Sequence, residues 1–565
     1  MNIVLGISIS HNGGVALICD GDVKVAIQAE RISRVKRRSL RLHKDDSELA
    51  QKCIRYCLNA ENIKYEDINA IAITTPWKLK QENNTNLFNY IGGIPKNYLG
   101  TFYVPHHFTH MEYIVHYGDL KPGIVLVIDG SGSFEKDRYL FNINERMHNK
   151  ILNNTQKSGK EVISAYWFDG SNSSLIYRFS PSHYQLNESN KYSNGFLQSI
   201  GHYWEWASSY CCSSRNGAGK LMGLAAFGEC SNSNEPNLLS INDNAEIKLD
   251  FCKIKEIYKK PNLFSSDLSN SKHHQNLANR VQKETENVIL KLLEILKKKF
   301  PCDNLYFSGG VALNVVANER IKNSNLFKEV ILNGSVEDNG TAIGAGLAVD
   351  MALGGIRKTS AITDYYGKEY FESDFLNAIS KYDFQYKILS EEEIFKLAAE
   401  LIEKENVIGW FQGRSEFGPR ALGNRSIFAN PSSPRTKYIL DHYMKCRDRY
   451  RPYAPVVIEE RANEYFEIND SSPVMMRNVK VLNKSLVAVT HVDGTARVQT
   501  VNEKDNKPLY SLLLEVDKKI GMPILLNTSF NQPGEPIVES PNDALSSFSN
   551  GNLDYLFLGN ILIYH

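Results

Sequence analysis

A chain of 565 residues is long enough for two or three domains, each with a core of its own. Its 42% hydrophobic and 23% charged content is that of an ordinary water-soluble protein, and a net charge of +1 excludes a polyanion binder working through bulk electrostatics. No run of about 20 apolar residues occurs, and the strand pattern starting near Met1 follows no basic leader or cleavage site, so no membrane contact and a cytoplasmic location are expected. The nine cysteines are scattered without a Cys-x-x-Cys pair, which argues against zinc-finger spacing and a disulfide framework.

Asn2 to Ser10 alternates as a strand, His11 to Gly14 turns, and Val15–Cys19 should pair with Val23–Gln28 across Asp20 and Gly21. Residues 31–44 then carry seven lysines and arginines. Such a run is either a solvated face or a landing strip for phosphates, and the second reading makes DNA a partner to test. In PHHFTHMEYIVH, His106 and His110 stand one helical turn apart on a shared face while His107 points elsewhere. That spacing suits two imidazole ligands of a metal, and equally suits polar surface decoration.

Ile124–Ser133 is a second strand ending in a glycine turn, at Gly130, Ser131 and Gly132. Two such elements are what a duplicated nucleotide-binding fold uses to hold a phosphate chain from both sides. LYFSGGVALN, from Leu305 to Asn314, leads a strand into a helix, and GSVEDNGTAIGAG, from Gly334 to Gly346, is a further glycine element. Between Ser133 and Leu305, residues 145–275 are rich in Asn, Ser, Lys and Tyr, with a loop expected at 231–237, and contain GKLMGLAAFG from Gly219 to Gly228. The amphipathic helix expected over Leu277–Phe300 reads as core through Val288, Leu290, Leu292, Leu293, Ile295 and Leu296. The divisions expected are 1–360, a connecting stretch 361–392, and 393–565.

In the last of these, the apolar run Val407–Phe411 empties into GRSEFGPRALGNRSI, from Gly413 to Ile427. Backbone N–H groups at Gly413, Gly418 and Gly423, with Arg414, Arg420 and Arg425, suit a small multivalent anion. KCRDRYRPYAP from Lys445 and HVDGTARVQT from His491 add cations and short polar groups to the same region. LLNTSFNQPGEPIVES from Leu525 follows.

These four stretches, in this order, resemble the carboxy-terminal half of the O-carbamoyltransferase family, which includes nodulation-factor and antibiotic carbamoyltransferases. The glycine elements of the first half resemble the actin, Hsp70 and sugar-kinase superfamily, and more closely the universal tRNA threonylcarbamoyl-transferase domain. The missing zinc-finger spacing separates the chain from hydrogenase-maturation carbamoyltransferases. A sugar kinase or chaperone ATPase would leave residues 413–535 without purpose. The fold implied is α/β, an actin-like duplicated amino-terminal domain followed by a second α/β domain that makes carbamoyl-adenylate.

The resemblance implies an ATP-dependent transfer from carbamoyl phosphate, through carbamoyl-adenylate, to the hydroxyl of a small sugar-like or natural-product alcohol. Its alternatives are the hydroxymethyl group of modified cytosine in DNA and a threonylcarbamoyl-type tRNA modification. Arg420, Lys445, Arg447, Arg451, Arg497, Asn527 and Ser529 would bind carbamoyl phosphate and ATP, with Lys445 and Arg451 catalytic. Gly130, Ser131, Gly132, Gly309, Gly310, Asn314 and Gly340 would hold the adenylate. The family's metal ligands fall on His106, His110, Asp129 and Asp338; two nitrogens and two carboxylates suit iron first, then manganese or zinc, with magnesium accompanying ATP. His11, as base or orienting group, and Asn12 would face the acceptor. The family usually reads His-Asp there, so a positively charged acceptor is disfavoured. The GKLMGLAAFG segment carries Ala226 where proline is usual. Oligomeric state is left open.

Overall fold

The structure, a computed structural model, describes residues 2–40, 46–75, 95, 97–133, 152–155, 159–181, 198–229, 236–259, 271–446 and 450–565. Arg41 to Lys44 of the basic stretch, most of the loop expected at 231–237, and Arg447 lie outside the described residues.

Two sheets of the first half repeat one topology. Across the first, the strands run Asp22–Gln28, Gly14–Cys19, Ile3–Ser8, Ala70–Thr75 and Gly100–Pro105. The first three are antiparallel neighbours, and the last two continue parallel to Ile3–Ser8. The second sheet has the same order and directions in Ser173–Ser180, Ile163–Phe168, Gly123–Ile128, Asn304–Ser308 and Glu329–Ile331, with Leu152–Thr155 added at one edge. Ile3–Ser8 and Gly123–Ile128 are buried along their whole length. Burial on both faces explains their nearly continuous apolar character. This is the duplicated arrangement expected of an actin- or sugar-kinase-like domain.

Each repeat ends in a helix that packs against the other's: His106–Val115 after the fifth strand of the first, Gly340–Ala352 after the fifth of the second. The approach is backbone to backbone. A Cβ on Gly344 would lie 1.9 Å from the Thr109 carbonyl oxygen, and one on Gly6 would lie 1.9 Å from that of Ala342. The glycines of GTAIGAG thus serve helix packing, and they bring the amino-terminal ends of both helices to one place. The loops after the first strand of each repeat, carrying His11 and Asp129, end there as well.

The second half is built on a nine-stranded sheet running Gln385–Ile388, Ile561–Tyr564, Tyr555–Leu558, Ile408–Phe411, Arg425–Ala429, Ile524–Ser529, Ala454–Ile458, Thr495–Val501 and Arg477–Lys480. The helices Glu391–Glu403 and Lys507–Ile520 pack together and bury Ala398, Ile402, Leu512 and Val516 against it. The edge strand Gln385–Ile388 and the helix Glu372–Ile379, which packs on Pro541–Ser549, fall inside the stretch read as a connection. All four residues of that strand are exposed, Tyr386 and Ile388 included, so its short polar–apolar alternation marks no buried face.

The two halves are clamped by basic side chains. Arg31, 2% exposed, donates from Nη2 to the Gly418 carbonyl at 2.8 Å, and Arg34 donates to the carbonyls of Ile537 and Pro536 at 2.8 and 2.9 Å. In return Arg414 donates to the carbonyls of Gly367, at 2.6 Å, and Lys24. Tyr56 and Ser415 each donate at 2.5 Å to the buried carboxylate of Glu539.

Candidate active-site cleft

At the meeting point of the two repeats, His106, His110, Asp129 and Asp338 bring one ligand atom each to within 4.8 Å of one another, all buried. His106 Nε2 lies 3.2 Å from Asp129 Oδ2, 3.3 Å from Asp338 Oδ1 and 3.3 Å from His110 Nε2. The intervening His107 points away, its Nδ1 2.9 Å from the Ser164 hydroxyl and its backbone N–H on Glu161. The spacing of His106 and His110 thus makes one shared apex of a cluster, and surface decoration is excluded by their complete burial.

The charges of the cluster fit a cation. Burial would push the Asp338 carboxyl up, but His11 and His106 hold it well below the usual range. Asp129 is also held low, with His106 and His110 outweighing burial and the neighbouring Asp338. Burial opposes charge on His106, yet the two carboxylates raise it to about 10. His110, disfavoured by burial and by His106, falls to about 4 and keeps a neutral imidazole. A divalent ion would take over the role of the His106 proton between two ionised carboxylates.

His11 stands above this cluster with Nδ1 3.1 Å from Asp338 Oδ2, and Asp338 raises it to about 9 against partial burial. Its side chain is 61% exposed, open to a cleft of about 1740 Å³. Asn12, expected beside the acceptor, is buried and does not line the cleft. Gly130, Ser131, Gly310 and Asn314 do line it, and Gly310 donates its N–H to Asp129 Oδ1 at 3.2 Å. Gly132, Gly309 and Gly340 instead serve packing. A Cβ there would lie 2.6 Å from Glu161 Cγ, 2.3 Å from the Ile128 oxygen and 2.0 Å from the Ser335 oxygen respectively.

The same cleft reaches the second domain, where Arg420, Arg451, Arg497, Asn527 and Ser529 line it. Burial lowers Arg420 to about 10, partly offset by Glu337 and reinforced by the like charge of Arg451. The other two arginines of GRSEFGPRALGNRSI do different work. Arg414 is part of the domain clamp, and Arg425 is wholly buried over the Phe411 ring, 3.5 Å from its centroid, donating to the carbonyls of Gln412, Gly413 and Asn424. The loop's anion is its own: Leu422, Asn424 and Arg425 aim their N–H groups at Glu416 Oε1, at 2.7, 2.8 and 3.2 Å. Lys445 lies behind the cleft wall, donating to the carbonyls of Ser529 and Asn531 and to Asn531 Oδ1 at 2.9 Å.

Residues 99–347 match the family model described as the carbamoyltransferase N-terminus, and residues 399–565 match that of the carbamoyltransferase C-terminus. The chain belongs to the carbamoyltransferase family. It is 29% identical to nodulation protein NolNO of Sinorhizobium fredii, over 98% of this chain and 79% of that one. It is 30% identical to the 3'-hydroxymethylcephem-O-carbamoyltransferase of Streptomyces clavuligerus, over 58% of this chain and 61% of that one. Among solved structures, full-length HypF in its phosphate- and nucleotide-bound form is similar at a TM-score of 0.38 and 12% identity, covering 63% of this chain and 56% of that one.

The sequence reading of this carbamoyltransferase missed several cleft residues. The helix Lys272–Lys299, taken as core, does bury Val281, Val288, Leu292 and Leu296, but its other face sends Asn279, Gln282, Lys283 and Glu286 into the cleft. Their spacing of i, i+3, i+4 and i+7 was the available signal. Lys160, His202, Trp204, Glu205, Arg215 and Asn216 come from the region of biased composition, where periodicity offered nothing. No described helix is long and apolar enough to cross a membrane.

Proposed function

We propose that this carbamoyltransferase is an ATP-dependent O-carbamoyltransferase that makes carbamoyl-adenylate and passes the carbamoyl group to the hydroxyl of a small alcohol. One observation supports this most: a single cleft is lined by His11, Asp129 and Asp338 at one end and by Arg420, Arg451 and Arg497 at the other. In the first half-reaction water releases phosphate from carbamoyl phosphate, the carbamate oxygen attacks the α-phosphorus of ATP, and pyrophosphate leaves. Several negative charges crowd together in that step, and the three guanidiniums offset their repulsion. Asn527 is pinned by bonds to Ala421 and Gln499 at 3.1 and 2.8 Å, so it presents a fixed polar contact to the cleft.

In the second half-reaction the acceptor hydroxyl attacks the carbamoyl carbon and AMP leaves. Gly130, Ser131, Gly310 and Asn314 are positioned to receive the adenylate. A divalent metal held by His106, His110, Asp129 and Asp338 would supply charge stabilisation to the leaving phosphate. His11, with Nδ1 turned to Asp338 and its side chain lining the cleft, would orient the acceptor hydroxyl or take its proton. ATP with magnesium and carbamoyl phosphate are the donors in this reading.

DNA bearing hydroxymethylcytosine, suggested by the basic stretch, has less support, because Arg31 and Arg34 clamp the domains and Arg38 pairs with Asp46 at 2.5 Å. The test is pyrophosphate release from ATP by the purified protein, with and without carbamoyl phosphate, followed by mass spectrometry of sugars, alcohols and modified DNA offered as acceptors. Release that depends on carbamoyl phosphate and a mass gain of one carbamoyl group on a small alcohol are expected. Pyrophosphate release independent of carbamoyl phosphate would remove the reading.

A further inference from the structure

Residues 361–392 read from the sequence as a connection, yet Asp364 in that stretch is wholly buried and bonded to a loop from each end of the cleft. Its carboxylate is divided between the two. Oδ1 accepts from the Ser335 hydroxyl at 2.7 Å, and Oδ2 accepts from the Gly418 N–H at 3.1 Å. Ser335 stands three residues before Asp338 of the His/Asp cluster, and Gly418 two residues before Arg420 of the cationic end. The approach is close on both sides. A Cβ on Gly334 would lie 2.7 Å from Asp364 Oδ2, and one on Gly418 would lie 2.2 Å from that oxygen and 2.8 Å from Ser335 Oγ.

Each loop is anchored on its own side as well. The Ser335 N–H donates to the Tyr113 hydroxyl at 3.2 Å, on the helix that carries His106 and His110. The Gly418 carbonyl accepts from Arg31, and the Phe417 N–H donates to the Asp364 carbonyl at 2.7 Å. Next to Asp364, the Tyr366 carbonyl accepts from the Ala26 N–H at 2.8 Å and the Gly367 N–H donates to the Ser415 carbonyl at 2.9 Å, so this short backbone is bonded to both halves of the chain. A fully buried carboxyl is costly, and burial pushes this one up to about 7. An apolar side chain would fill the space without that cost, but it would take the acceptor away from the Gly418 N–H and the Ser335 hydroxyl. With one oxygen of a short, planar group committed to each loop, neither loop can shift without straining the bond to the other.

We infer that Asp364 is a positioning residue for both half-reactions: it sets the Asp338 loop against the Arg420 loop, so that carbamoyl-adenylate made at one end of the cleft is received at the other. The inference rests on the two-step reaction proposed above. Asp364 does not line the cleft and acts only through the loops it holds.

The experiment compares the full-length protein with Asp364→Ala, Asp364→Asn and Ser335→Ala. Mn(II) affinity, by competition with a fluorescent chelator, reads the Asp338 loop. Carbamoyl phosphate affinity and stoichiometry, by calorimetry, read the Arg420 loop, and thermal melting runs in parallel. Asp364→Ala should weaken both ligands about tenfold, the size of a supporting-group loss at a metal site, without lowering the binding stoichiometry. Asp364→Asn, whose amide can donate to Ser335 and accept from Gly418, should keep both affinities. Ser335→Ala should weaken Mn(II) and leave carbamoyl phosphate unchanged. A lower melting temperature in Asp364→Ala with wild-type affinities in the folded fraction would give Asp364 a purely structural role and overturn the inference. A loss confined to one ligand, or an Asp364→Asn protein as impaired as Asp364→Ala, would do the same. If Asp364→Ala is not recovered folded, Ser335→Ala decides, and an unchanged Mn(II) affinity there overturns the inference. Failure of the wild type to bind either one of the ligands overturns it too. Acceptor-free pyrophosphate release is read alongside: none from a wild type that binds both ligands would end the two-step reading, while the affinities still decide whether Asp364 sets the two loops.

Discussion

The two ends of the cleft are built by different means. At the end formed by His106, His110, Asp129 and Asp338, four side chains project from loop ends and the first turns of helices that are themselves locked by backbone contact between Gly344 and Thr109, so their convergence follows from the fold. At the cationic end the groups are arginines and a lysine on loops and strands, with side chains long enough to reach several targets, and backbone carbonyls of the protein claim some of them. Arg414 and Arg425 are used in this way, and Lys445 stands behind the wall. Side-chain type and density thus identify a binding end only where the backbone leaves a side chain no alternative partner.

The sharpest break between the ends should come from Asp338→Ala, which removes a cluster carboxylate and the partner of His11. A loss of carbamoyl transfer of roughly 10³-fold is expected, with metal content reduced on elemental analysis. Pyrophosphate release should persist within a few fold, and equal failure of both activities would erase the division between the ends.

Within the cationic end, Arg497→Ala and Arg425→Ala should part company. The first should lower pyrophosphate release roughly 10²-fold without changing the melting temperature. The second strips four carbonyls of a buried donor and should cost roughly 3 kcal/mol of stability, visible as a lower denaturation midpoint. Identical effects on activity and melting in both variants would mean that the two arginines had been misassigned.

The role of the backbone at the His/Asp end is sharpened by Gly344→Ala, which alters none of the four cluster side chains. The new Cβ, placed 1.9 Å from the Thr109 oxygen, must push the two helices apart. Metal affinity should fall about tenfold, the size of a supporting-group loss at a metal site. Unchanged affinity by competitive chelation would show that the ligands, and not the helix contact, set the site.

The gentlest test concerns the boundary between the domains. Asp364 is fully buried, accepting from the Ser335 hydroxyl at 2.7 Å and the Gly418 N–H at 3.1 Å, and burial pushes its carboxyl up to about 7. Between the ordinary carboxyl value and about 7 the folded protein holds a proton that the unfolded chain has released, so stability must fall as pH rises through that window, by at most about 1.4 kcal/mol per pH unit. Asp364→Asn, in which the amide can donate to Ser335 and accept from Gly418, should flatten this slope in denaturant titrations at pH 5 and 7. A slope shared by wild type and variant would place the titration elsewhere.

What the sequence determined by itself was local. Short apolar runs ended by polar or glycine turns marked the strands Ile3–Ser8 and Gly123–Ile128, the i, i+4 pair marked His106 and His110, and four ordered motifs marked the carbamoyltransferase family. These signals lie within one or two turns of backbone, where side-chain type and spacing decide the outcome. Tertiary structure decided the rest: which arginines face the cleft, that the polar face of Lys272–Lys299 joins it, and that Lys36 and Arg37 stand next to His11 while Arg31 and Arg34 clamp the domains. An arginine's partner is chosen among carbonyls and carboxylates hundreds of residues away, as with Arg31 and Gly418, and no local pattern encodes that distance.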